Sequence, residues 1–253
     1  MIVWQAMLIG LSVALCTTLP ACTQPSYEAQ RESLALEIER HVFETRGYVG
    51  RSHLDGTVMK AIRTVPRHEF VPAEMRNDAY ANRPLPIGEG QTISQPYIVA
   101  LMTDLAGVDT DSIVLEVGTG SGYQAAVLAE IVSHVYTIEI IGTLGRRAAH
   151  TLERLGYHNV TVRIGDGYLG WPAFAPFDAI VVTAAPEVVP RPLLEQLAMG
   201  GRLVIPVGPQ HGVQELERWT RVSTGNADGA WKKERLMGVR FVPFLGDGVK
   251  AAE

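Results

Sequence analysis

Between Tyr27 and Val65 the apolar positions recur at helical spacing. Leu34, Ile38 and Val42 stand at i, i+4 and i+8, and Val58, Ile62 and Val65 at i, i+4 and i+7, so each set makes one stripe down a helix. Gly47, Gly50 and Gly56 punctuate the pair. Pro66 and Pro72 are expected to end helical structure, and residues 79–96, rich in Pro and Gly, read as an irregular stretch.

From Ser112 the period changes. Short β-rich runs at 112–117, 134–139, 160–164, 177–183 and 201–207 alternate with segments of helical spacing at 123–131, 144–155 and 190–197. Strand alternating with helix implies βαβ units, and right-handed crossovers give a mostly parallel central sheet covered on both faces. Two further runs, 214–222 and 235–244, flank a polar turn around Asn226–Gly229 and are expected to pair as an antiparallel hairpin at the sheet edge. The predicted architecture is an α/β, Rossmann-like core over 111–250 with an N-terminal helical addition over 22–110.

The first residues follow a different rule. Residues 2–19 carry no charged side chain, and Leu19-Pro20-Ala21-Cys22 then gives way to the polar Thr23-Gln24-Pro25-Ser26. The tetrapeptide resembles a bacterial lipobox, which implies a signal peptide over 1–21 and an acylated Cys22 as the mature N-terminus of an exported, membrane-anchored or periplasmic lipoprotein. No Lys or Arg precedes the apolar core, and Pro20 is unusual in a lipobox. An uncleaved anchor is a second reading. A start lying upstream of the true one, leaving a cytoplasmic protein, is a third. With Cys16 removed and Cys22 acylated, the mature chain would hold no thiol.

Composition narrows the function classes. The chain has 253 residues, 47% hydrophobic and 19% charged, with 27 acidic and 22 basic residues and a net charge of −5. It has no Lys/Arg run, so a nucleic-acid groove or polybasic membrane patch is not expected, and membrane contact is expected only through the lipid. Two Cys exclude a disulfide-dense scaffold and a Cys-based zinc site, and no H-x-x-x-H occurs among seven His, so no metal site is expected. His134 reads as structural. Ser121 lacks the G-x-S-x-G context of a hydrolase elbow.

Chemistry begins at the first strand of the core. Val114-Leu115-Glu116-Val117 runs into Gly118-Thr119-Gly120-Ser121-Gly122 and then a helix, placing a Gly-rich turn at the carboxyl end of a strand, where open α/β sheets bind ligands. A dinucleotide fingerprint would need Gly at 123, where Tyr stands, so the spacing suits a nucleoside ligand without a pyrophosphate. Glu139 ends the next strand and could accept hydrogen bonds from ribose hydroxyls. Asp166, in Gly165-Asp166-Gly167 after the third, could meet an adenine amino group. Three such features at the ends of three successive strands point to S-adenosylmethionine.

The segment Gly90-Gln91-Thr92-Ile93-Ser94-Gln95-Pro96-Tyr97 resembles the signature of the protein-L-isoaspartate O-methyltransferase family. So do VLEVGTGSGYQAAVLAE from Val114, GDG from Gly165, GGRLVIPVG from Gly200, LMGVRFVP from Leu236, and Arg67 with Phe70-Val71-Pro72. The likeness runs in order over roughly residues 30–245. It implies a Rossmann-like S-adenosylmethionine-dependent methyltransferase fold and methyl transfer to the α-carboxylate of L-isoaspartyl residues in damaged proteins and peptides, with S-adenosylhomocysteine as product and a monomer as the expected state. On that resemblance Ser94 is the active-site serine, Thr92, Ser94 and Val239 contact substrate, and Gln91, Thr92, Ile93 and Ser94 join Glu116, Gly118, Thr119, Gly120, Gly122, Glu139, Asp166 and Gly167 around the cofactor. In an extended loop the hydroxyls of Thr92 and Ser94 fall on one side. Another carboxylate or small-molecule acceptor, or a fold kept as a binding module, are the competing functions. An exported enzyme would also need cofactor outside the cytoplasm.

Overall fold

The computed structural model describes residues 25–210, 212–223 and 230–247. The proposed signal segment with Cys16 and Cys22, and the turn at Asn226–Gly229, lie outside them. Helix α1 spans Tyr27–Val49, capped by the Ser26 hydroxyl, which accepts from the Ala29 N–H at 3.2 Å. Helix α2 spans Gly56–Thr64, with the Asp55 carboxylate accepting from Thr57 N–H at 2.8 Å. The predicted stripes, Leu34, Ile38 and Val42 and then Val58, Ile62 and Val65, are buried.

Residues 79–96 are not wholly irregular. They hold a small antiparallel hairpin, β1 (Leu85–Gly88) and β2 (Gln91–Ile93), turned through residues 89 and 90. α-Helix ends at Thr64, before Pro66, but helical structure does not: Pro66 and Pro72 each stand at the start of a short 3-10 helix, Arg67–Glu69 and Ala73–Asp78. Helix α3 (Pro96–Ala106) follows; all eleven of its residues are buried, so it carries no polar face for a periodicity to reveal.

The core strands are β3 (Ile113–Val117), β4 (His134–Glu139), β5 (Val160–Ile164), β6 (Phe177–Val182) and β7 (Leu197–Val207), joined through α4 (Tyr123–Ala129), α5 (Gly142–Arg154) and α6 (Arg191–Glu195). Strands β8 (Gln214–Arg221) and β9 (Trp231–Val239) complete one sheet in the order β5-β4-β3-β6-β7-β8-β9. The first four pairings are parallel and the last two antiparallel, as the pattern predicts. The largest boundary differences are at β7, which starts at Leu197 rather than 201 and shortens the helix before it, and at β9, which runs over Trp231–Val239 rather than 235–244.

Alternate residues of the strands feed two apolar layers. Val114, Val135, Ala179, Val181 and Val204 pack with α1 to α5, whereas Leu115, Val117, Ile138, Ile180 and Val182 pack with α6 and Tyr168 on the other face. The N-terminal helices therefore share their core with the sheet and form one of its two covering layers. The chain leaves β3 toward β4 and reaches β6 from β5 on the far side, which opens a crevice at the carboxyl ends of β3, β4 and β6. Residues after β9 close over it. The Ala185 N–H donates to the Val242 carbonyl at 2.9 Å, the Phe244 N–H to the Ala185 carbonyl at 3.0 Å, and Phe244 stacks on Tyr168 at 4.3 Å.

Candidate active site

The crevice holds two adjoining clefts. The first, about 520 Å³, lies between the Gly-rich turn, the end of β4 and the crossing segment Val242–Leu245, with Gln91, Thr92 and Gly167 on its rim. The second, about 980 Å³, lies between α1, the β2–α3 connection and the end of β9; Thr92, Ser94, Tyr97 and Val239 line it. Thr92, Thr183 and Val242 line both and so form the partition between them.

The turn after β3 depends on close backbone approach. Gly118 has φ +98°, and a Cβ there would sit 2.4 Å from Thr183 Oγ1. That hydroxyl donates to the Gly118 carbonyl at 2.6 Å, fastening the turn to the end of β6. Gly167 is equally confined, since a Cβ would meet Val117 Cγ1 at 2.3 Å. Glu139 stands at the cleft, 5% exposed, with Oε2 accepting from Gly120 N–H at 2.7 Å and Oε1 from Ile141 N–H at 2.9 Å. Each oxygen keeps a lone pair for a further donor. A backbone cradle without side chains, beside a fixed carboxylate, fits a nucleoside with a vicinal diol.

In the second cleft the hydroxyls of Thr92 and Ser94 are both on the lining and neither has a hydrogen-bond partner among the described residues. By contrast, the hydroxyls of Thr119, Thr137 and Thr183, near the floor of the first cleft, all bond within the protein. Ile98, Val239, Phe241 and Val242 give the same cleft apolar walls, and His41, stacked on Tyr97 at 4.2 Å, and Arg240 are its ionisable groups.

A family model for protein-L-isoaspartate(D-aspartate) O-methyltransferase matches residues 39–249. The protein-L-isoaspartate O-methyltransferase 2 of Syntrophobacter fumaroxidans is 53% identical over 236 residues, 93% of this chain and 94% of its own. Its namesake in a Polaromonas species is 57% identical over 210 residues, 83% and 98%. The chain belongs to the protein-L-isoaspartate O-methyltransferase family. Solved structures agree in fold. One protein-L-isoaspartate O-methyltransferase superposes with a TM-score of 0.71 at 29% identity, over 85% of this chain and 66% of that one. A Plasmodium falciparum β-aspartate methyltransferase in complex with S-adenosyl-L-homocysteine gives 0.67 at 23% identity, over 88% and 99%.

Within this family member, the expected site residues divide. Gln91, Thr92, Gly118, Gly120, Glu139 and Gly167 line the first cleft, and Thr92, Ser94 and Val239 the second. Ser94 lines only the second. Ile93 is buried in the core on the opposite side of β2. Gly122 caps α4 against Leu152 and Ala148. Thr119 faces inward to Thr137, at 2.6 Å. Asp166 is off the lining; its carboxylate accepts from Tyr168 N–H at 2.9 Å and Asp247 N–H at 3.0 Å, so it fastens the crossing segment beside the cleft. Thr183 and the segment Val242–Leu245 were not expected at the site. The signal for Thr183 was its place at the carboxyl end of the fourth core strand.

Glu116 also stands behind the turn rather than in it. It is fully buried, Oε2 accepts from Thr137 Oγ1 at 2.5 Å, and Oε1 has no partner. Burial pushes its carboxyl up to about 8, and the neighbouring Glu139 adds to the rise. In the unfolded chain the group titrates near 4.5, so across the interval up to about pH 8 the folded state keeps a proton the unfolded state has lost. Stability therefore falls as pH rises through that window. Thermal denaturation of the unliganded protein is expected to show a melting temperature that declines from about pH 5 to 8 relative to Glu116→Gln, whose side chain does not titrate. Parallel curves for the two proteins would contradict a protonated Glu116.

Proposed function

We propose that this protein is an S-adenosylmethionine-dependent carboxyl methyltransferase acting on the α-carboxylate of L-isoaspartyl residues in damaged proteins and peptides. The observation that carries the reading is the pair of unengaged hydroxyls, Thr92 and Ser94, beside the partition between a nucleoside-shaped cleft and a wide open one.

Glu139 would hold the cofactor in the first cleft by accepting from its ribose hydroxyls, with the backbone at Gly118 and Gly120 against its body. When bound, S-adenosylmethionine supplies a methyl group already activated by its sulfonium, which an ionised carboxylate can accept. A carboxylate is charged at neutral pH, so no residue need remove a proton from it. Ser94 and Thr92 orient the acceptor by donating hydrogen bonds to it. The apolar side chains of Ile98, Val239, Phe241 and Val242 line the acceptor's cleft and would limit hydration of the carboxylate once a peptide fills it. Holding the reacting atoms in line supplies most of the remaining acceleration.

The assay uses labelled S-adenosylmethionine with an isoaspartyl peptide and its aspartyl twin. The isoaspartyl peptide alone is expected to be labelled. Ser94→Ala is expected to lower kcat/KM about 10- to 100-fold, the cost of a hydrogen bond to a charged group, and to leave cofactor affinity nearly unchanged. Equal labelling of both peptides would overturn the acceptor assignment. For the N-terminus the proposal is export as a lipoprotein acylated at Cys22, supported by the uncharged run over 2–19 and the lipobox-like tetrapeptide. Labelled palmitate fed to expressing cells is expected in the protein and absent from Cys22→Ser; no label in either would refute it.

A further inference from the structure

Among the described residues Arg67 is the largest fully buried side chain, at 0% exposure, and no carboxylate forms an ion pair with it. Its guanidinium instead faces backbone carbonyls of the segment that leads into the site. Nε donates to the Ala79 carbonyl at 2.8 Å, and Nη2 to the Ser94 carbonyl at 2.8 Å and, at the long limit of 3.5 Å, to that of Arg83. The cation lies 4.7 Å from the centre of the Tyr123 ring, in the first turn of α4 directly after the Gly-rich turn. Nη1 and the Tyr123 hydroxyl are both buried without a partner. Burial lowers the guanidinium to about 10, still protonated at neutral pH.

An unpaired buried cation is an expensive way to fill space, and an apolar side chain of similar volume would be the cheaper packing solution. What the guanidinium does that Met or Leu cannot is grip several carbonyls in a fixed fork. Those carbonyls are separated in sequence by up to 15 residues yet belong to the two ends of one excursion, 79–94, which carries the β1–β2 hairpin. Asn82 laces the same ends: its carbonyl accepts from Gln95 Nε2 at 3.0 Å, and its Oδ1 from the Tyr97 N–H at 3.0 Å.

We infer that Arg67 is a positioning residue for methyl transfer: by holding the Ser94 carbonyl against Ala79 and the Tyr123 face, it sets the direction in which the Ser94 hydroxyl enters the acceptor cleft. This rests on the proposed role of Ser94. It assigns to Arg67 a function in acceptor binding rather than in cofactor binding: Arg67 itself lines neither cleft, and the Ser94 it grips lines only the second.

The test is a double-mutant cycle of Arg67→Lys and Ser94→Ala, with Arg67→Gln as a second variant. It is read as kcat/KM for the isoaspartyl peptide and as affinity for S-adenosylhomocysteine. Lys keeps the charge and loses the fork. Arg67→Lys is expected to lower kcat/KM for the peptide about tenfold, the value of one or two hydrogen bonds from a charged donor, and to change S-adenosylhomocysteine affinity less than about threefold. In the Ser94→Ala background the same change is expected to cost much less, because the hydroxyl it aims is already gone. Equal losses in both backgrounds, or a loss confined to thermal stability, would make Arg67 merely structural and overturn the inference. Hydrogen exchange provides a reading independent of the reaction. In Arg67→Lys, the amides of Ser94, Gln95 and Tyr97 are expected to exchange faster while those of β3 do not. Unchanged exchange at 94–97 would refute the grip even if the wild-type protein proved to methylate no isoaspartyl peptide, the result that would instead refute the proposed activity.

Discussion

The contact on which the site depends is the one between Gly118 and Thr183. Strands β3 and β6 lie side by side, but their connections leave in opposite directions, so a crevice must open where they end. Thr183 spans its floor, its N–H donating to the Val117 carbonyl and its hydroxyl to that of Gly118, and the absence of a side chain at 118 is what lets the two chains come that close. The turn is thereby held flat against the sheet, and Gly120 is left where its N–H meets the carboxylate of Glu139. A methyl group at 118 would lift the turn, and the cleft's floor, the position of Glu139 and the partition at Thr183 would all shift together.

Around that floor the labour is divided by layer. The sheet provides the cofactor side, built from backbone and one carboxylate and covered by the crossing segment that Asp166 and Ala185 fasten. The N-terminal layer provides the acceptor side, built from hydroxyls, apolar walls and His41. The two layers share a single hydrophobic core through α1 to α3, so the hydroxyls of Thr92 and Ser94 are held by tertiary packing although they lie on short, irregular backbone. Reaction between a cationic donor and an anionic acceptor removes both charges, and the apolar Val242 on the partition favours that change.

Much of this was legible from the residue pattern, for physical reasons. The parallel strands announced themselves as short β-branched runs, and the Gly-x-Gly-x-Gly turn with Glu139 at the next strand end named the ligand class. Read as an extended loop, the segment puts the hydroxyls of Thr92 and Ser94 on one side; both residues line the second cleft, and Ile93 between them faces the core. Other features left no pattern. Helix α3 is buried all round, and β1 and β2 have only four and three residues, too short for a period to register among the prolines. Glu116 and Thr119 sit inside a motif whose position is diagnostic, but which of its side chains face the ligand and which face the core is set by the geometry of the turn. Asp166 is read from its place after a strand as a ligand contact; the partner that occupies it, the Asp247 amide, is 81 residues away.

The most direct test of the whole account is a crystal structure with S-adenosylhomocysteine and an isoaspartyl peptide bound together. The ribose hydroxyls are expected on Glu139, the sulfur facing the partition of Thr92, Thr183 and Val242, and the peptide's α-carboxylate on the far side of it within hydrogen-bond reach of the Ser94 hydroxyl. A peptide bound outside the cleft lined by Ser94 and Val239, or a sulfur directed away from that partition, would contradict it.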